Sequence, residues 1–252
     1  MKTENQQRIG IVGGMGPMAG VLLQKLIIEA TPATKDQDHL QVICFTNPQI
    51  PDRTASLQED KGESYVRALI DTARTLVNIG VTTLVVPCNT AHTRLHDIQA
   101  VIPVPIIDMV EITAEHLAAV CGKSAKIGIL ATDGTLQSEL YQKALAVRGI
   151  EWATPSGMNQ AQVMRAIYSI KAGKDISLLN FIVGAMRELE EQEVGILLLG
   201  CTELSLYFEE IKSAGHEVID PLHIVANTLV CITQTEIAQQ NPQLTMSPAG
   251  LL

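Results

Sequence analysis

The sequence predicts an α/β protein built from two similar lobes, each a mostly parallel sheet flanked by helices, facing each other across a cleft. Three observations lead there. Aliphatic runs of strand length alternate with helical patterns along the chain, which is the grammar of βαβ units and parallel sheets. Aromatic residues make up 3% against 46% hydrophobic, so the core must be Ile, Val, Leu and Ala, as suits strands covered on both faces. Finally, motifs of the first half return in the second half in the same order.

The elements read as follows. Ile9-Gly10-Ile11-Val12 is a strand, followed by a Gly/Met/Pro turn and a helix over 19–28. Residues 41–45 form a second strand, 64–78 an amphipathic helix stopped near Gly80, and 83–86 a third strand. In the second half, 126–130 is a strand, helices lie near 136–148, 159–172 and 176–192, and 195–199 is the last strand. Ile9-Gly10-Ile11-Val12 recurs as Ile127-Gly128-Ile129-Leu130, an offset of 127 − 9 = 118. The stretch ending Val85-Val86-Pro87-Cys88 recurs as Leu198-Leu199-Gly200-Cys201, offset 201 − 88 = 113, and Asp108 is echoed by Asp220, offset 220 − 108 = 112. Generic strand vocabulary accounts for Ile-Gly-Ile and Leu-Leu-Leu; it does not place a cysteine at the same strand end twice. A length of 252 residues, at roughly 150 per domain, fits a two-lobe chain. The expected first lobe comprises 1–104 plus 219–252 and the second 105–218, with the chain crossing near Pro103–Pro105 and returning near Asp220.

Composition excludes several function classes. A formal charge of −9 and a pI near 5.1 draw the chain toward neither phosphate backbones nor anionic membranes, and scarce aromatics argue against a stacking platform for single strands. An anionic substrate must therefore be held by a few local cations and backbone N–H groups. No apolar run approaches the ~18 residues of a spanning helix. The polar start, residues 1–8, does not read as a signal peptide. Five cysteines without disulfide-rich spacing read as reduced thiols of a cytoplasmic protein.

Cys88 and Cys201 each follow a buried strand and precede a helical segment. Ligands of open parallel sheets bind beyond the carboxyl ends of the strands. A helix start there offers unpaired N–H groups and partial positive charge, which would lower a thiol's pKa and hold a carboxylate, together with the Asn89, Thr90 and Thr202 side chains. Two such sulfurs facing each other could remove a proton from one face of a carbon and return one to the other, a two-base inversion needing neither metal nor organic cofactor. Cys44, Cys121 and Cys231 read instead as small buried hydrophobes. A disulfide between Cys88 and Cys201 is the competing reading of that pair.

Other signals compete. Gly14-Met15-Gly16-Pro17-Met18-Ala19 satisfies G-x-G-x-x-G/A, but the next strand closes with Phe45-Thr46-Asn47 rather than an acidic residue. The loop therefore reads as an N–H-lined lip of a carboxylate site. Cys88, His92 and His96, at i, i+4 and i+8, lack a fourth metal ligand. Arg53 either pairs with Asp52 on the surface or binds an anion, and Lys171 either is a solvated helix-end cation or does the same.

Gly13-Gly14-Met15-Gly16-Pro17, Pro87-Cys88-Asn89-Thr90-Ala91-His92 and Gly200-Cys201-Thr202-Glu203-Leu204 together resemble the aspartate/glutamate racemase superfamily, most closely its aspartate branch, over about residues 9–230. The resemblance implies a cofactor-independent amino-acid racemase, with two pseudo-symmetric lobes and a homodimer. It implies Cys88 and Cys201 as the catalytic pair, Cys88 serving the D enantiomer and Cys201 the L. By the same resemblance Asn89, Thr90 and Thr202 hold the α-carboxylate with help from Met15 and Thr132, and Arg53 and Lys171 hold a side-chain carboxylate, making aspartate the expected substrate. Glutamate racemases carry a pattern resembling Asp-Ser-Gly in the first loop and histidine after Gly-Cys-Thr, where this chain has Gly13-Gly14-Met15 and Glu203. The alternatives are a glutamate or broad-specificity racemase, a lyase or other isomerase of the superfamily, or a dicarboxylate-binding module that keeps the cleft without the chemistry.

Overall fold

The computed structural model describes residues 7–121, 125–174 and 176–240, with side chains as far as residue 235; of the polar start, 1–8, residues 1–6 lie outside them. The strands expected from the aliphatic runs are present, within a residue or two: β1 (Arg8–Gly13), β2 (Gln41–Thr46), β3 (Thr83–Val85), β5 (Lys126–Ala131) and β7 (Ile196–Gly200). Three short strands join them, β4 (Ile106–Ile107), β6 (Glu151–Ala153) and β8 (Glu217–Ile219). They form two four-stranded parallel sheets of identical order, β2-β1-β3-β4 and β6-β5-β7-β8. Ile9 pairs with Thr83 as Ile127 pairs with Ile196, so the repeat seen in the sequence is a repeat of position within a sheet.

Each sheet is covered on both faces. In the first, α3 (Glu63–Ile79) lays Tyr65, Val66, Leu69, Ala73 and Leu76 on one side. On the other side pack α1 (Pro17–Ala30), with Leu23, Leu26 and Ile27, and α11 (Pro221–Gln240), with Leu222, Val225 and Leu229. In the second sheet, α8 (Gly157–Lys171) and α9 (Leu178–Glu191) cover one face. The other is covered by α5 (Met109–Val120) and α7 (Leu140–Ala146). At about 1.5–3 kcal/mol for each fully buried aliphatic side chain, these layers are the main source of cohesion. Between them lie α2 (Arg53–Asp60), α4 (Leu95–Gln99), α6 (Asp133–Gln137) and α10 (Phe208–Ser213).

The helices expected at 19–28, 64–78, 159–172 and 176–192 correspond to α1, α3, α8 and α9. The region 136–148 is not one helix: α6 and α7 are separated at Glu139, whose φ of 55° is left-handed, so the i→i−4 ladder cannot run through it. The first sheet takes in Ile106–Ile107, just past the expected crossing near 103–105. The chain then enters α5, which packs on the second sheet, while α11 follows β8 of the second sheet and packs on the first.

The loops after β1 and β5 bring the sheets' carboxyl ends together. Gly16 and Gly134 are separated by 134 − 16 = 118 residues, the strand offset. Each stands where another segment approaches closely. A Cβ on Gly134 would lie 2.7 Å from Thr54 Oγ1 and 3.1 Å from Thr54 Cα, in the other half of the molecule. Gly134→Ala must therefore push α6 away from α2, and overpacking of this kind costs about 1–3 kcal/mol. Urea unfolding of this variant should show a lowered midpoint with unchanged slope.

Candidate active site

One central strand of each sheet delivers a cysteine. β3 ends and Pro87 leads to Cys88; β7 ends at Gly200 and gives Cys201. Both are buried, 5% exposed, and both line one narrow cavity between the two sheets. Each is followed by a 3₁₀ turn, residues Thr90–Arg94 and Leu204–Tyr207, not by the α-helix the sequence led us to expect.

All nine residues singled out from the sequence line this cavity: Met15, Arg53, Cys88, Asn89, Thr90, Thr132, Lys171, Cys201 and Thr202. Asp52, Thr54, Tyr168 and Glu203 complete the wall. The disulfide reading fails, because all five cysteines are free. The metal alignment dissolves: the His96 side chain is 99% exposed, while His92 is buried beneath the site. Met109 N–H donates to His92 Nε2 at 3.1 Å, so Nδ1 carries the proton and donates to the Cys88 carbonyl at 3.0 Å. The ring thus straps the Cys88 turn to α5, and burial keeps it neutral by lowering its pKa. Among the described residues no group of three or more His, Cys, Asp or Glu is placed to hold a metal ion.

Arg53 is the first residue of α2, whose N-cap Asp52 accepts from Ala55 N–H at 3.0 Å. It does not lie on the surface beside Asp52 but turns inward, 7% exposed. Its guanidinium donates to the carbonyls of Pro51 (2.8 Å) and Met15 (3.3 Å), and Nε has no partner. Burial opposes its charge, yet the neighbouring Cys88, Asp52 and Glu203 raise its pKa overall. Asn89 is oriented by Tyr141, whose buried hydroxyl donates to Asn89 Oδ1 and leaves Nδ2 buried without a partner. Thr90 Oγ1 lies 2.9 Å from Thr132 Oγ1 and 2.8 Å from Thr135 Oγ1, a hydroxyl cluster joining the two halves. Thr202 donates to the Pro87 carbonyl at 3.3 Å. Buried donors such as Arg53 Nε and Asn89 Nδ2 are costly unless something accepts from them, and an entering carboxylate is an acceptor of the right kind.

Lys171, the last residue of α8, is not a solvated helix-end cation. Its Nζ lies 2.7 Å from Glu203 Oε1, with side chains 19% and 6% exposed. Glu203 Oε1 also accepts from Gly16 N–H at 3.0 Å, and Oε2 from the Cys201 thiol at 3.0 Å. The sequence marked Glu203 only as a departure from histidine; its position two residues after Cys201 was the available signal. Tyr168, three residues before Lys171 and so on the same helix face, donates to Asp52 Oδ1 at 3.3 Å and could have been found that way. Thr54 carried no signal.

The lowered thiol pKa expected at Cys201 is overturned. Burial, then the Glu203 carboxylate, push this thiol well above its ordinary value, against the opposing charge of Lys171. Cys201 should thus resist iodoacetamide near neutral pH and react as the pH rises beyond its ordinary range. Glu203→Gln should shift that profile to lower pH, read by mass spectrometry of the Cys201 peptide.

A family model described as Asp/Glu/Hydantoin racemase matches residues 12–229, from β1 into α11. A broad specificity amino-acid racemase of Bacillus subtilis is 29% identical over 211 residues, 81% of this chain and 89% of its own. A glutamate racemase of Pediococcus pentosaceus is 31% identical over 155 residues, covering 58% of this chain and 56% of that one. Among solved structures, the Picrophilus torridus aspartate racemase superposes with a TM-score of 0.80 at 29% identity, covering 90% of this chain and 94% of its own. The match spans both sheets and both cysteine-bearing strand ends, and this chain belongs to the Asp/Glu/hydantoin racemase family, a family of isomerases acting on amino acids.

Proposed function

We propose that the protein interconverts L- and D-aspartate without a cofactor, using Cys88 and Cys201 as alternating base and acid. The observation that carries this reading is the joint placement of two buried sulfurs, from equivalent strand ends, in one cavity with two cations and unpaired N–H donors. The α-carboxylate would accept from Asn89 Nδ2 and from the hydroxyls of Thr90, Thr132 and Thr202. Arg53 Nε and the Lys171 ammonium would meet the side-chain carboxylate, Lys171 using another of its three N–H donors while it stays paired with Glu203.

In one direction Cys201, which donates to Glu203, serves as the acid and Cys88, beside the Arg53 guanidinium, as the base. The Cys88 thiolate takes the Cα proton, forming S–H, and the C–H electron pair moves into a planar, enolate-like carboxylate. Cys201 then gives its proton to the opposite face and is left as thiolate. One proton leaves and one arrives, configuration inverts, and the sulfurs exchange protonation states. The difficult species is the carbanionic one, stabilised by donors fixed in advance. By resemblance we also propose a homodimer, and the exposed Met18, Val21 and Ile28 along α1 are available to such an interface. A cytoplasmic location accords with five free cysteines; among the described residues no helix is long and apolar enough to cross a membrane.

Incubation of L-aspartate with the protein in D₂O should give both loss of optical rotation and α-deuteration. A binding module gives neither, and turnover of glutamate in preference to aspartate would favour the alternative racemase reading. Cys88→Ser and Cys201→Ser should each slow racemisation by about 10²–10⁴-fold, the usual value of a positioned acid or base; full activity in either defeats the two-thiol scheme. Arg53→Ala should raise the KM for aspartate about 10–100-fold, the loss of a charged hydrogen bond, and an unchanged KM would remove Arg53 from substrate recognition.

A further inference from the structure

The cysteine cavity has a neighbour. A second cavity, partly open to solvent, shares the Lys171, Thr202 and Glu203 walls with it. Its remaining surface is apolar, formed chiefly by Pro17, Met18, Ala19, Ile170 and Leu206, and apart from the shared ion pair no charged side chain lines it. The pair is anchored on both sides of this boundary. Lys171 ends α8, and Glu203 is tied to Gly16 N–H at the head of α1 as well as to Cys201. Burying an ion pair is costly unless its remaining lone pairs and protons are satisfied. Here the carboxylate is satisfied three times over, which holds it across the gap between the two spaces.

Resting on the racemase reading above, we propose that the Lys171–Glu203 pair is a partition that sets substrate side-chain length. Closed, it confines the side chain to the small polar cavity, which suits a short dicarboxylic amino acid. Opened, it joins that cavity to the apolar one and admits a longer, unbranched aliphatic side chain. Lys171 and Glu203 are then specificity-determining residues beyond any charge they lend to aspartate. Because Glu203 also touches Cys201, its loss alters turnover of every substrate. The informative quantity is therefore the ratio between a long apolar amino acid and aspartate.

The test compares α-deuteration of L-norleucine and L-aspartate in D₂O by the wild type, Glu203→Ala and Lys171→Ala, each first shown to be folded by circular dichroism. Both variants should raise the norleucine-to-aspartate ratio at least tenfold, and either alone suffices if the other does not fold. Adding Leu206→Trp, which fills the apolar cavity, should abolish the gain, while Leu206→Trp by itself should leave aspartate exchange within about twofold of wild type. A ratio unchanged in a folded variant, or a gain that survives the filling tryptophan, overturns the partition while leaving the racemase reading intact. Wild type that exchanges no aspartate overturns the substrate assignment, and this inference with it.

Discussion

The carboxylate of Glu203 joins more of this molecule than any other single group in the site. Its two oxygens accept from the Cys201 thiol, the Gly16 amide and the Lys171 ammonium, which stand on the loop after β7, the loop after β1 and the end of α8. A charge buried to this extent is tolerable only because its oxygens are met by an opposite charge and by further hydrogen-bond donors. The consequence runs both ways. Burial and then the carboxylate favour the thiol form of Cys201, and the thiol, amide and ammonium in turn satisfy the carboxylate.

That arrangement depends on the sheets. Parallel strands end together, and a chain that repeats one βαβ order twice places two such ends face to face. The two halves are held in register by cross-contacts at those ends: Thr90 to Thr132, Thr202 to the Pro87 carbonyl, Tyr168 to Asp52. The exchange of α5 and α11 adds to this, each helix following a strand of one sheet and packing on the other. Hydrophobic layers as well as the polar seam therefore fix the position of one half against the other.

How much was legible in the sequence follows from the same physics. Strands buried on both faces are uninterrupted aliphatic runs, so β1, β2, β3, β5 and β7 could be read directly, and the repeated cysteine marked the two strand ends. All nine candidate residues line one cavity, five of them read from the two strand ends and Met15, Arg53, Thr132 and Lys171 placed by resemblance. By contrast, α11 is packed against both α1 and α5, and a helix buried on more than one side shows no single apolar stripe. The break at Glu139 reflects a backbone conformation that glutamate does not advertise. The Cys201 pKa was misjudged because local reasoning saw a helix start, whereas burial and a carboxylate from two residues along decide the sign. Spacing alone left Lys171 and Arg53 open between surface cation and anion binder for a related reason: their partners, Glu203 and the Met15 and Pro51 carbonyls, are set by packing.

The near-symmetry of the strands does not extend to what surrounds each sulfur: a guanidinium stands by Cys88 and a carboxylate by Cys201. Mirror-image solutes have equal free energy in water, so under the proposed chemistry kcat/KM for the two enantiomers must be identical, whatever the protein does. The lopsided surroundings can only redistribute that common value. One hand is bound loosely and turned over fast, and the other is held more tightly and released slowly. The duplicated scaffold thus delivers a reaction without thermodynamic direction, while its unmatched side chains decide which hand occupies the enzyme for longer.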